Sequence, residues 1–194
     1  MSQSLNTVSE HVNADEVLVS LVLTGNDEAY EKIVNQYRDK VIQLAYVYLK
    51  NYEDARDASQ DIFVKTYEKL RQFRKQSKFS TWLYRVAVNH CLDLLRRNNM
   101  KFNNNECIFE NIATTELSPS QKSSLLFRDD ALKRAVQKLS TQQQIIIILR
   151  YFENNSIKEV AEILTLSSGT IKAATSQAIQ NLKKIIITEG GGES

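Results

Sequence analysis

Backbone breakers are nearly absent from this chain. Pro119 is the only proline among 194 residues, and no glycine lies between Gly25 and Gly169. Proline and glycine interrupt helices most strongly, so long uninterrupted helices are open to this sequence. The stretches between breakers carry helical periodicity. Tyr30, Ile33, Val34, Tyr37, Val41, Leu44, Ala45 and Tyr48 recur at three- and four-residue spacing, an apolar stripe of about five turns. A short helix around Glu16–Leu23 precedes it and stops at Gly25, with Asn26 or Asp27 placed to cap the next. Beyond Asn51, a third helix over about Tyr52–Phe73 sets Ala55, Ala58, Ile62, Phe63, Thr66, Tyr67 and Leu70 on one side. Arg74–Lys78 is polar and basic and reads as a loop. A fourth helix, about Ser80–Arg97, buries Leu83, Val86, His90 and Leu94. Four amphipathic helices close a core together, so residues 15–98 are predicted to form one small helical domain.

Residues 99–126 lose this periodicity. Asn103–Asn105 and Thr114–Pro119 are polar, which predicts a flexible linker. A second helical domain is predicted over 127–187. Leu132, Ala135, Val136 and Leu139 mark a short helix, and Thr141 caps another that runs to Phe152. The Ile145–Ile148 run has strong strand propensity, but the flanking glutamines and Arg150 favour helix, and no strand partner is apparent. Asn154–Asn155 break it. Ser156-Ile157-Lys158-Glu159 has the pattern of a capping box and opens a helix to Leu164. Ser167 or Ser168 starts a last helix to about Ile187, and the Gly-rich end from Glu189 is expected to be disordered. Val160, Ala161, Leu166 and Ile171 stand where a helix-turn-helix needs small or apolar residues, a geometry that lets its second helix enter a major groove. A plain helical hairpin is the alternative. The predicted fold class is therefore all-α: two small helical domains on a flexible linker, the second containing a helix-turn-helix.

The net charge is only +2, but its distribution is uneven. Acids are frequent from Glu10 to Asp61. From Lys65 to Lys101, ten lysines and arginines face only Glu68 and Asp93. An acidic surface beside a basic one suggests two different partners, or else two ordinary solvated faces. Cys91 and Cys107 lack any C-x-x-C spacing, so neither a disulfide framework nor a zinc site is indicated. His11 and His90 are too isolated for a metal site or a catalytic triad, and His90 reads as a satisfied core residue. No catalytic residue, metal or cofactor is expected. The polar Met1–Asn13 stretch lacks the apolar core of a secretory signal, and no apolar run approaches membrane-spanning length. A cytoplasmic location is expected.

Specific blocks of sequence then narrow the function. Asp54-Ala55-Arg56-Asp57-Ala58-Ser59-Gln60-Asp61-Ile62-Phe63 closely resembles the polymerase-binding helix of the sigma-70 family. Phe79-Ser80-Thr81-Trp82-Leu83-Tyr84-Arg85-Val86-Ala87-Val88-Asn89 resembles that family's promoter-melting segment, at a similar spacing. Leu139-Ser140 to Gln144, Leu149-Arg150-Tyr151, Ile157 to Leu164 and Gly169-Thr170-Ile171-Lys172 resemble its C-terminal helix-turn-helix. The short linker and absence of extra domains resemble the extracytoplasmic-function group.

The resemblance implies a non-enzymatic sigma factor that binds core RNA polymerase and directs promoter recognition, DNA melting and initiation. Asp57, Gln60 and Asp61, at i, i+3 and i+4, would meet the coiled-coil clamp helices of the largest polymerase subunit; the flap of the second-largest subunit is the other contact. Carboxylates there pair with arginine on the partner. Arg74, Lys78, Trp82, Arg85, Asn89, Arg96 and Arg97 would hold minus-10 DNA, where aromatic faces and cations keep unstacked bases outside the duplex. Trp82 reads equally as core. Arg150, Lys172, Ala173, Ser176 and Gln177 would read minus-35 DNA, with Gln177 suited to adenine and the cations to phosphates. Here the sequence departs from the family. Ala174 and Gln177 stand where members usually carry basic residues, and Thr165 replaces a usual turn glycine. Few cations on that helix imply weak affinity for isolated duplex. Members of this group are often held by a membrane-anchored anti-sigma factor, which the resemblance adds as a candidate partner. A stand-alone helix-turn-helix regulator and a sigma-like decoy that binds polymerase without directing it are the alternatives.

Overall fold

Helix boundaries in the computed structural model, which describes residues 14–102 and 130–190, follow local capping chemistry. Helix α1 (Ala14–Leu23) ends at Gly25, whose φ of +93° closes the turn with its N–H on the Val22 carbonyl. Asn26 then caps α2 (Asp27–Leu49) by accepting from the Ala29 N–H at 3.0 Å. Lys50 turns left-handed, and the Asn51 side chain accepts from the Glu53 and Asp54 amides to start α3 (Tyr52–Lys69), which a 3₁₀ turn extends over Leu70–Gln72. The basic loop leads into α4 (Phe79–Phe102). This helix outruns its predicted end at Arg97, since no glycine or proline stops it and asparagine costs only tenths of a kcal/mol.

The second lobe comprises α5 (Asp130–Gln137), α6 (Thr141–Ile147), α7 (Ile157–Leu164) and α8 (Ser168–Gly190). Ser140, not Thr141, caps α6, accepting from the Gln143 N–H. The isoleucine run is helical and buried, which settles the strand alternative. It passes into a π-helical turn over Ile148–Phe152 that the sequence did not announce. Asn154 turns left-handed and the capping box at Ser156 is complete in both directions. The Ser167 hydroxyl accepts from the Thr170 N–H at 3.0 Å, at the head of α8. Helix α8 extends through Gly190 rather than ending near Ile187 with disorder from Glu189, because no glycine or proline lies between Gly169 in its first turn and Gly190. Most of the predicted linker, and the last four residues of the tail, lie outside the described residues.

Helix α2 is the axis of the first lobe, packed by α1, α3 and α4. Ile33, Val41, Leu44 and Ala45 are fully buried there, with Ile62, Leu70, Phe79 and Leu83 against them. Three expected core positions differ. Tyr67 is 47% exposed: its ring rests edge-on against Tyr30 at the rim, and its hydroxyl reaches Asp27. Val86 and Leu94 are only half-buried, while Tyr84, Ala87, Val88 and Cys91 are buried. The reason is tertiary. Helix α4 is covered on one side by α2 and α3 and on another by α7 of the second lobe. One continuous apolar cluster therefore runs from Ile33 through Tyr84 to Val160, Ile163 and Ile171. Among the described residues no helix is long and apolar enough to cross a membrane.

Candidate nucleic-acid and protein interfaces

Burying Ala55, Ala58, Ser59 and Ile62 turns the opposite side of α3 to solvent. Asp57, Gln60 and Asp61 are all exposed on that side, so the structure brings them together as the sequence predicts. Beside them, a groove of about 560 Å³ opens between α2 and α3, lined by Val34, Arg38, Ile42, Tyr52, Gln60 and Phe63. The face thus joins exposed carboxylates to a partly apolar cleft, suited to a protein surface carrying arginine.

Asp61 also marks the border with α4. His90 is buried, and its Nδ1 lies 2.6 Å from Lys65 Nζ. An ammonium can only donate, so Nδ1 accepts and the ring hydrogen sits on Nε2. Nε2 lies 3.7 Å from Asp61 Oδ2, beyond hydrogen-bond reach. The sequence reading of a satisfied histidine is thus half right. Burial, then the Lys65 charge, hold the imidazole below its usual 6.5, against the opposing pull of Asp61 and Asp93. The unfolded ring takes up its proton near 6.5 and the folded ring only at lower pH. Stability is therefore full above that value and declines as pH falls below it. In urea unfolding at pH 7.5 and 5.5, His90→Gln should lose less stability on acidification than the natural chain; parallel losses would contradict this.

Lys78, Trp82, Arg85, Asn89 and Arg96 follow one another at spacings of four, three, four and seven, a single stripe along α4. Lys78, Arg85, Asn89, Arg96 and Arg97 are exposed, as is Arg74 in the loop. Trp82 is half-buried, its ring 5.5 Å from Phe73 and 6.0 Å from Phe79, so it is a packing residue with one accessible side. Three of the cations already have partners: Arg96 pairs with Asp93 on its own helix at 3.3 Å, and two reach the second lobe. Lys78 pairs with Glu159 at 2.9 Å and Arg85 with Glu162 at 3.8 Å. Sequence reasoning missed both, together with Glu153, whose carboxylate is 5% exposed, receives the Tyr84 hydroxyl and pairs with Lys40 at 3.0 Å. Tyr84, Ala87, Val88 and Cys91 beside the expected stripe were the available signal: apolar residues on a second side of a helix imply a second packing surface. Cys91 itself packs as a small apolar side chain, its thiol pushed up to about 12 by burial.

On α8, Lys172, Ala173, Ser176 and Gln177 are exposed on one face, while Ile171, Thr175 and Ala178 anchor the other. Arg150 stands apart from them. It is half-buried, donates to the Asn155 carbonyl and lies over the Tyr151 ring. Thr165 adopts φ +55° in the turn, the conformation a glycine would take there freely.

Comparison with known proteins gives this geometry its context. Residues 33–100 match the family model of sigma-70 region 2, and residues 129–182 match that of sigma-70 region 4. Together these span well over half the chain. It belongs to the sigma-70 family of RNA polymerase sigma factors. Within the family it falls in the extracytoplasmic-function group. It is 28% identical to the ECF RNA polymerase sigma factor SigW of Bacillus subtilis, over 86% of this chain and 93% of that one. It is 31% identical to the RNA polymerase sigma factor YlaC of the same species, over 81% and 91% of the two chains. The sigma factor RpoE from Bartonella quintana, solved with the anti-sigma factor NepR, shares the fold at a TM-score of 0.62 and 22% identity, over 81% of this chain and 96% of that one. As a sigma factor, the protein binds core RNA polymerase and directs promoter recognition, DNA melting and transcription initiation.

Proposed function

We propose that α3 and α4 divide this sigma factor's work. Asp57, Gln60 and Asp61 grip the coiled-coil helices of the largest polymerase subunit. Arg74, Lys78, Arg85, Asn89, Arg96 and Arg97, with the accessible side of Trp82, hold strand-separated minus-10 DNA. Residues 15–98 form the unit that does both. Residues 127–187 form a second unit that meets the flap of the second-largest subunit and presents α8 to minus-35 duplex. The observation that carries this reading is the pair of neighbouring exposed faces, carboxylates on α3 and a cationic stripe on α4. The protein itself performs no bond chemistry: it acts in the cytoplasm through binding free energy, and the polymerase carries out nucleotidyl transfer. An anti-sigma factor is a further partner, as NepR is for RpoE of Bartonella quintana.

The minus-35 contribution is small in this reading. Of the exposed positions on the reading face of α8, only Lys172 is cationic, and Gln177 Nε2 already donates to Asn181 at 3.0 Å. Phosphate neutralisation supplies most duplex affinity, so this helix adds register more than strength. The deciding experiment is run-off transcription with purified core enzyme on promoters chosen by mapping start sites in cells. Arg85→Ala with Asn89→Ala should lower open-complex formation by roughly tenfold or more while core affinity changes less than about twofold. Equal loss of both would overturn the division between the two helices.

A further inference from the structure

Folding leaves one donor of α4 in the interior without an acceptor. The His90 side chain is 5% exposed, and Nε2, which carries the ring hydrogen, has no hydrogen-bond partner. A buried donor left unpaired is costly, and native proteins keep few of them. Lys65 decides which nitrogen is left over. Its ammonium occupies Nδ1 at 2.6 Å and so keeps the hydrogen on the side that faces Asp61. Among the described residues Asp61 supplies the nearest carboxylate oxygen, at 3.7 Å. Asp93, the other acid acting on the ring, is taken by Arg96 at 3.3 Å. The Asp61 side chain is 67% exposed, so it is free to turn. Closing the gap by roughly 0.5–1 Å brings the pair into hydrogen-bond range.

We infer that His90 is a positioning residue for the polymerase contact: on docking, its Nε2–H donates to one carboxylate oxygen of Asp61 and holds the other oxygen toward the partner. This rests on the assignment of Asp61 to the polymerase face. In the free protein water competes for the exposed carboxylate, and the histidine contact stays loose. Docking expels that water, and a hydrogen bond gains strength in the drier surroundings. A carboxylate already held from behind also loses less rotamer freedom when it meets its partner. The unpaired nitrogen is thus satisfied in the complex rather than in the free chain.

The test is titration of the fluorescently labelled full chain with purified core enzyme. His90→Asn keeps an acceptor where Nδ1 stands but has no atom that reaches Asp61. It should weaken core binding roughly three- to tenfold. His90→Gln is one methylene longer and places an amide N–H where Nε2 stands, so its affinity should stay within about twofold of the natural chain. His90→Phe keeps a ring in the buried site without a donor. It should lose as much as the asparagine variant, and it carries the test if that variant folds poorly. In an Asp61→Ala background, removing the donor should change affinity less than about 1.5-fold, because the residue it acts through is gone. A purely structural histidine would give the same loss in both backgrounds, and that result overturns the proposal. So does a His90→Gln loss as large as that of asparagine. Asp61→Ala alone separates the two ideas. Unchanged core affinity for Asp61→Ala sinks the assignment of the face. A loss of roughly tenfold for Asp61→Ala, with natural affinity in the folded His90→Asn and His90→Phe variants, sinks this inference alone.

Discussion

Phe79→Ala is expected to destabilise the protein by about 3–5 kcal/mol, enough to unfold a large share of a chain whose total stability is of the order of 5–15 kcal/mol. Phe79 has no exposed surface. Its ring meets Tyr37 at 5.9 Å and Phe73 at 5.8 Å, both edge-on, and Trp82 at 6.0 Å. Tyr37 cannot move to fill the space, because its hydroxyl donates to Asp15 on α1. Deleting the ring therefore leaves a cavity bounded by rigid aromatics, where relaxation is least effective. The same residue begins α4 directly after the basic loop, so the loop and the first turn of the minus-10 stripe lose their anchor together. Urea unfolding followed by the fluorescence of Trp82, the single tryptophan, reports on this cluster directly. Phe79→Leu should cost about 1–1.5 kcal/mol. A loss below about 1 kcal/mol for alanine would mean that the cluster is not packed as described.

The second large effect lies on the other helix and leaves folding intact. Asp57→Ala with Gln60→Ala should weaken core polymerase binding by roughly ten- to a hundredfold, the result of losing two central contacts worth about 0.7–1.4 kcal/mol each. Both residues are exposed and alanine suits a helix, so the unfolding midpoint should move little. Fluorescence titration of labelled protein with purified core enzyme measures the affinity. An unchanged affinity would move the polymerase contact away from this face, with the groove between α2 and α3 the first place to look.

Local features of this molecule were readable from its sequence because they depend on near neighbours. Asn26 and Ser156 cap where their side chains can reach amides three residues on. The exposure of Asp57, Gln60 and Asp61 follows from burying Ala55, Ala58 and Ile62 on one helix. What was not readable depends on partners far along the chain. Glu153 meets Tyr84 across 69 positions, and neither residue carries a local sign of the other. A single apolar stripe implies one buried side for α4; its second lies under α7. Nearer in sequence, Arg150 keeps its place as a phosphate ligand by position, but its donation to the Asn155 carbonyl five residues on depends on the π-helical turn that precedes it. Even the departures from family pattern were visible as letters while their geometry was not. Thr165 was seen to replace a glycine, but its left-handed backbone belongs to the folded turn.

That turn also stores strain. A side chain held left-handed costs about 1–2 kcal/mol relative to the right-handed region, and Thr165 bears this cost at the joint that aims α8 against α7. Thr165→Gly relieves the backbone without altering any side chain assigned to polymerase or DNA. The same joint sets the angle at which the reading helix is offered. Threonine at this joint also leaves the backbone fewer conformations than glycine would, so the joint is stiffer with the residue it has.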